Sequence, residues 1–310
     1  MKNTDRECSP CYEIEAIGGK HLYSFACHAT ALRAWAVIRN ELEKAPLLLT
    51  LDHHTDCHPA FLRATHVGRD MLGRNPNWES EAESMVRNLN RTNSESVKMA
   101  TLQLRNDEHI DAAIQSDILS YAYVINLSNG QTKSLEENQY CEQMCLEARL
   151  SRQERGLPDP MHPKPPFTYR TPENSIFMCS RMCAVGCQVS PHDEQCERKH
   201  ANQVIESVYL DEHLHDFACM SRSAGVSRLQ DAPFILDIDL DYFHTLQSVR
   251  PVDPRTFHEL IRRSIAVTVA LEPQCVEDLR LTDETIDSLS LLEDIRRHVA
   301  EACRGTKPVG

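Results

Sequence analysis

Apolar residues recur along this chain with two different periods. Ala31, Trp35, Ile38 and Leu42 step by four, three and four, which marks one face of an amphipathic helix that closes before Pro46. Residues 47–51 (LLLTL) form a short unbroken apolar run, as expected of a strand covered on both faces. Residues 121–127 (YAYVINL) read as a strand followed by an Asn-Gly turn. The same pattern returns late in the chain. Residues 232–239 (APFILDID) and 265–271 (IAVTVAL) predict two more strands, and Leu289, Leu292, Ile295, Val299 and Ala302 predict a C-terminal amphipathic helix. Helix and strand signals alternate at both ends, which predicts a doubly wound, mainly parallel α/β sheet flanked by helices.

The middle is less regular. Residues 157–166 (LPDPMHPKPP) hold five prolines in ten, which excludes a helix or an inner strand there. The expectation is one α/β domain over residues 1–310, with residues 131–200 an irregular, Cys-rich excursion from it.

Composition narrows the function classes. With 33 Lys+Arg against 46 Asp+Glu, the formal net charge of −13 argues against a nucleic-acid surface and favours a cationic substrate. No apolar run approaches the roughly 18 residues that span a bilayer, and the polar N-terminus does not read as a secretory signal. The expectation is a cytoplasmic protein without a membrane segment, and self-association is compatible with it. The 13 cysteines then read as thiols or metal ligands rather than a disulfide framework. Cys179, Cys183 and Cys187 recur every four residues, as do Cys141 and Cys145; on a helix they would share one face, and a structural Zn²⁺ there is a minor alternative to ordinary buried thiols.

Two predicted strands end in groups that metals favour: Asp52-His53-His54-Thr55-Asp56 after the first, and Asp237-Ile238-Asp239-Leu240-Asp241 at the second. In an extended segment alternate side chains share a face, so Asp52, His54 and Asp56 point one way, and Asp237, Asp239 and Asp241 share a side of theirs. Burying so many carboxylates together requires compensating cations, and a pair of divalent ions in an oxygen-rich site with one or two imidazoles suits Mn²⁺ better than tetrahedral Zn²⁺.

These residues resemble the metal motifs of the arginase and agmatinase (ureohydrolase) family. Residues 52–56 (DHHTD) look like its DAHxD motif, and the strand ending DID resembles its DxD motif. His28, in FACHATA, sits 24 residues before Asp52, where the family places a His that opens a helix. Glu272 in Leu271-Glu272-Pro273 resembles the family's late glutamate. LDHHTDCHPAF together with ILDIDLDYF is most similar to the divergent peptide arginases of ribosomal peptide natural-product biosynthesis.

The resemblance implies a binuclear metal hydrolase that converts peptidyl arginine in a precursor peptide to ornithine and urea. One Mn²⁺ would take His28, Asp52, Asp56 and Asp237; the other would take His54, Asp52, Asp237 and Asp239, with Fe²⁺ or Co²⁺ able to substitute. Asp241 would be an outer group that orients the site. Asp56 would also orient the nucleophile and Glu272 would hold the guanidinium. A histidine would carry the proton to the leaving amine, His109 first and His58 or His66 behind it. Alternative readings keep the metal centre but change the substrate to free arginine, agmatine or another guanidine, or to an acetylated amine. Others treat residues 234–241 as a phosphatase nucleophile strand, or the chain as a non-catalytic binding protein on the same fold.

Overall fold

The computed structural model describes residues 11–66, 75, 77–127, 175–181, 183–188 and 193–304. The prolines of residues 157–166, Cys141, Cys145 and most of the expected excursion lie outside these residues. Seven strands form one sheet: β1 (Tyr12–Ile17), β2 (Lys20–Phe25), β3 (Leu47–Asp52), β4 (Ala122–Asn126), β5 (Ile176–Ser180), β6 (Phe234–Asp239) and β7 (Ala266–Ala270). Their order is β1-β2-β7-β6-β3-β4-β5; every neighbouring pair is parallel except β1 and β2. The expected α/β class with a mostly parallel sheet flanked by helices is therefore present.

The antiparallel edge comes from local chemistry. Gly18 and Gly19, at φ +59° and +85°, form the two-residue turn that joins β1 to β2. Both central residues of such a hairpin need positive φ, which glycine adopts without a steric penalty. The strand β5 falls inside the stretch 131–200, yet it pairs with β4 as the sheet's far edge. Cys179 lies on β5, and Cys183 and Cys187 follow it in non-helical chain. The shared helical face implied by their spacing does not form, because the chain there is extended and turned. Among the described residues these cysteines make no three-ligand cluster. Cys27 is disulfide-bonded, which departs from an all-thiol reading at that position.

Alternation along each strand separates two cores. Leu47, Leu49 and Leu51 of β3, Leu236 and Ile238 of β6, and Val267 and Val269 of β7 pack on one face. There they meet residues of α7 (Ser207–Ala224), α8 (Arg255–Arg263) and α10 (Ser288–Cys303). Leu48, Ile235, Ala266 and Ala270 face the other way, toward α1 (Ala31–Asn40), α4 (Ser94–Gln103) and α5 (His109–Gln115). Residues two apart share a face, so Thr50 and Asp52, Asp237 and Asp239, and Thr268 all stand on the α1–α5 side. The remaining helices are α2 (Leu62–His66), α3 (Trp78–Asn88), α6 (Glu194–Ala201) and α9 (Pro273–Leu279). Among the described residues no helix is long and apolar enough to cross a membrane.

Candidate metal centre

The four segments singled out in the sequence follow β2, β7, β6 and β3, four adjacent and mutually parallel strands, so their carboxyl ends lie together on one edge of the sheet. Ligands in open α/β sheets bind at that edge. His28 opens a short 3-10 turn (His28–Thr30) just after β2 and before α1. Asp52 is the last residue of β3, Asp239 the last of β6, and Glu272 precedes α9 after β7. Asp241 lies in the 3-10 turn Leu240–Tyr242.

Strand register stacks these side chains in two layers. In the lower layer Asp237 is flanked by Thr50 on β3 and Thr268 on β7. Thr50 Oγ1 donates to Asp237 Oδ2 at 2.9 Å, Thr268 Oγ1 donates to Asp237 Oδ1, and His28 Nε2 lies 2.8 Å from Asp237 Oδ2. Trp35 Nε1 donates to Thr268 Oγ1 at 3.2 Å, which extends the network into α1. Both Asp237 oxygens are thus engaged, and the carboxylate fixes His28 with Nε2–H toward it and Nδ1 turned up.

The upper layer is where His28 Nδ1 points. It lies 2.9 Å from Asp56 Oδ2, 3.0 Å from Asp239 Oδ2 and 3.5 Å from Asp52 Oδ2. His28 and Asp52 are fully buried, and Asp239 and Asp56 nearly so. The other side of Asp52 faces a second group. The backbone N–H of His54 donates to Asp52 Oδ1 at 2.6 Å, and His54 Nδ1 sits 3.8 Å from that oxygen and 3.0 Å from Asp241 Oδ2. Asp241 is itself held, its N–H donating to Asp239 Oδ1 and its Oδ1 accepting from the N–H of His53.

The structure therefore brings His28, Asp52, His54, Asp56 and Asp239 together, as the sequence pattern anticipates, and it adds Asp241 to them. Asp237 sits beneath, occupied with His28 and the two threonines. Asp56 reaches its place at φ +46°, a left-handed conformation that Asp tolerates better than most residues.

Electrostatics within this cluster are unfavourable without added positive charge. Burial pushes the carboxyls of Asp52, Asp56 and Asp239 up. Neighbouring carboxylates raise Asp52 and Asp239 further. Burial alone would lower His28, but Asp237 and Asp239 outweigh it and hold the imidazole well above its ordinary value. His54 is raised to about 9, chiefly by the Asp241 carboxylate 3.0 Å from its Nδ1, against the opposing effect of burial.

Among the described residues, His28 Nδ1, Asp52 Oδ2 and Asp241 Oδ2 are buried polar atoms that find no well-directed hydrogen bond. Carboxylates and imidazoles crowded together this way leave room for a cation to replace the protons, and three groups among the described residues could hold an ion: His28/Asp52/Asp239, Asp52/His54/Asp241 and His28/Asp56/His109. Buried His/Asp clusters compatible with two metal ions are thus present in this chain.

His109 reaches the cluster from the start of α5. Its ring stacks on Trp35 at 5.1 Å and lies 4.4 Å from the His28 ring. Nδ1–H donates to the carbonyl of Asn106 at 2.6 Å, so Nε2 carries the lone pair, and among the described residues it has no hydrogen-bond partner. Burial, with His28 beside it, lowers its pKa well below the usual imidazole range. His109 is wholly enclosed, whereas His58 is half exposed and 3.8 Å from Asp107. His66 closes α2, and its side chain lies outside the described positions.

Glu272 stands at the rim at φ +35°, strained for a residue with a Cβ and costing about 1–3 kcal/mol. Its Oε1 accepts from the N–H of His28 at 2.7 Å and from Asn106 Nδ2 at 2.6 Å. Burial raises the Glu272 carboxyl.

Asn106, Thr50 and Thr268 have no distinctive signal in the sequence, because each acts only through a partner far along the chain. His53 turns away from the ligands and pairs with His244 at 3.0 Å. No protein-family model matches the sequence, and no curated protein is significantly similar to it, so the reading of this site rests on its geometry.

Proposed function

We propose that this chain is a binuclear-metal hydrolase of arginase type acting on arginine side chains within a peptide. The observation that carries the reading is the sharing of Asp52. Its Oδ2 faces His28 Nδ1 and its Oδ1 faces His54 Nδ1, and Asp52 belongs both to the His28/Asp52/Asp239 group and to the Asp52/His54/Asp241 group. One ion would take His28 Nδ1, Asp52, Asp56 and Asp239; its neighbour would take Asp52, His54 and Asp241. The oxygen-rich donor set with two imidazoles suits Mn²⁺, Fe²⁺ or Co²⁺. Asp237 would keep His28 in the tautomer that leaves Nδ1 free to bind, the outer role first expected of Asp241.

A metal pair of this kind supplies a hydroxide at neutral pH, which the unreactive guanidinium carbon requires. The protein side chains supply the remainder. Glu272, with Oε1 already accepting two N–H groups, would present Oε2 to the cationic guanidinium. Asp56 would orient the attacking water. His109 would shape the enclosed wall through its contact with His28. The half-exposed His58 is better placed to exchange a proton with solvent at the ornithine amine, and the acidic chain as a whole attracts a cationic substrate.

The deciding experiment is mass spectrometry of an arginine peptide blocked at both ends, incubated with Mn²⁺-loaded protein. Loss of one CH₂N₂ unit per arginine, abolished in Asp52→Ala, is the expected result. Urea from free arginine or agmatine with no change in the peptide would move the chain to small-molecule chemistry. No turnover of any of the three would overturn the guanidine-hydrolase reading and leave the fold alone standing.

A further inference from the structure

Away from this edge, α8 and α10 pack against each other, and three potential ligands meet where they touch. His258 projects from α8, while His298 and Glu301, three apart on α10, share a face of that helix. His258 Nε2 lies 2.9 Å from His298 Nδ1 and 4.0 Å from Glu301 Oε2. The three can hold one ion.

The ring of His298 is already oriented as a ligand. Its Nε2 is 2.8 Å from the carbonyl of Val249, a buried acceptor that takes the Nε2–H and leaves the lone pair on Nδ1, aimed at His258. Metal-bound histidines commonly donate their other ring N–H to a backbone carbonyl in this way. The guanidinium of Arg262, whose charge acts on His258, is engaged by Glu259.

We propose that His258, His298 and Glu301 form a second, separate metal site that takes one Zn²⁺ and clamps α8 to α10. Zn²⁺ bonds of about 2.0–2.1 Å in a tetrahedron place ligand atoms about 3.3 Å apart. The imidazole nitrogens need to separate by only about 0.4 Å, and the Glu301 oxygen to close by about 0.7 Å. Glu301 is 38% exposed, so its side chain can make that movement. Two nitrogens and one carboxylate favour Zn²⁺ over Mn²⁺, in contrast to the carboxylate-rich cluster at the sheet edge.

The test uses the full chain, stripped with chelator and reloaded with Zn²⁺, in wild-type, His258→Gln, Glu301→Gln and Asp52→Asn forms. Bound zinc is counted after gel filtration, and Tm is followed with and without the metal. His258→Gln and Glu301→Gln should each lose one zinc equivalent, together with part of the Zn²⁺-induced rise in Tm. Asp52→Asn should keep that equivalent while losing metal at the sheet edge. Wild-type stoichiometry and Tm response in both His258→Gln and Glu301→Gln would overturn the site. Should His258→Gln fail to fold, the solvent-facing Glu301→Gln decides the question alone.

Discussion

Replacing Asp239 by Asn separates the two demands on the cluster, because an anion that is costly in the empty site becomes a ligand in the filled one. Asp239 is nearly fully buried, and its carboxyl is pushed well up by burial and by Asp241. The asparagine is isosteric, and its side-chain oxygen can still accept the N–H of Asp241, now 3.2 Å from Asp239 Oδ1. Replacing a carboxyl that burial and Asp241 hold well above its ordinary range should therefore stabilise the metal-free protein near neutral pH by about 1.4 kcal/mol or more, less what the contact with His28 contributes. In wild type, Mn²⁺ at one hundred times its Kd should add about 2.7 kcal/mol, or roughly 5–10 °C in Tm at about 2–4 °C per kcal/mol. The assay is thermal unfolding of both proteins, chelated and with Mn²⁺. Asp239→Asn should melt higher than wild type in chelator and show little or no metal-induced rise. A variant that melts lower in chelator and gains as much from Mn²⁺ as wild type would refute the argument that these carboxylates are assembled for cations.

Three further outcomes follow from the same geometry. Asp237→Asn should weaken metal affinity about 10–100-fold by isothermal titration, because it loosens the carboxylate that orients His28; unchanged affinity would remove that role. Gly18→Ala should cost about 1–3 kcal/mol in urea unfolding, since φ is +59° and the new Cβ would stand 2.6 Å from Cys303 Cβ on α10; a neutral result would mean that the hairpin shifts freely. His213 is buried with Nδ1–H donated to the carbonyl of Tyr209, and burial lowers its pKa to about 4. The unfolded chain binds that proton near pH 6.5, so the His213 contribution is intact above that value and is lost as the pH falls toward about 4. His213→Asn should lose about 2.5 kcal/mol less stability than wild type between pH 7.5 and 4.5, and parallel pH profiles would contradict the assignment.

Much of this arrangement follows from local pattern. An apolar run of five or six residues cannot stay exposed, and runs ending in carboxylates at residues 52 and 239 declare buried strands with polar ends. The period of the final helix, and the Asp287 and Ser290 side chains that cap its start, are equally local. The Gly18-Gly19 dipeptide is an equally local turn signal, but the hairpin that it makes is not among the elements expected from the sequence. Other features depend on partners distant in sequence. Asp237, Asp239 and Asp241 are equivalent by alternation, yet the parallel register against β3 and β7 sets Asp237 between Thr50 and Thr268, one layer too deep for the cluster. That depth leaves Asp239 and Asp241 beside Asp52. The four-residue spacing of Cys179, Cys183 and Cys187 fits a helix, but β4 offers an open edge and draws residues 176–180 into the sheet. Asn106 gains its place at Glu272 only once α5 packs beneath α1. Periodicity determines which side chains share a face, because it is a property of the backbone alone; which of them meet is decided by register between strands distant in sequence.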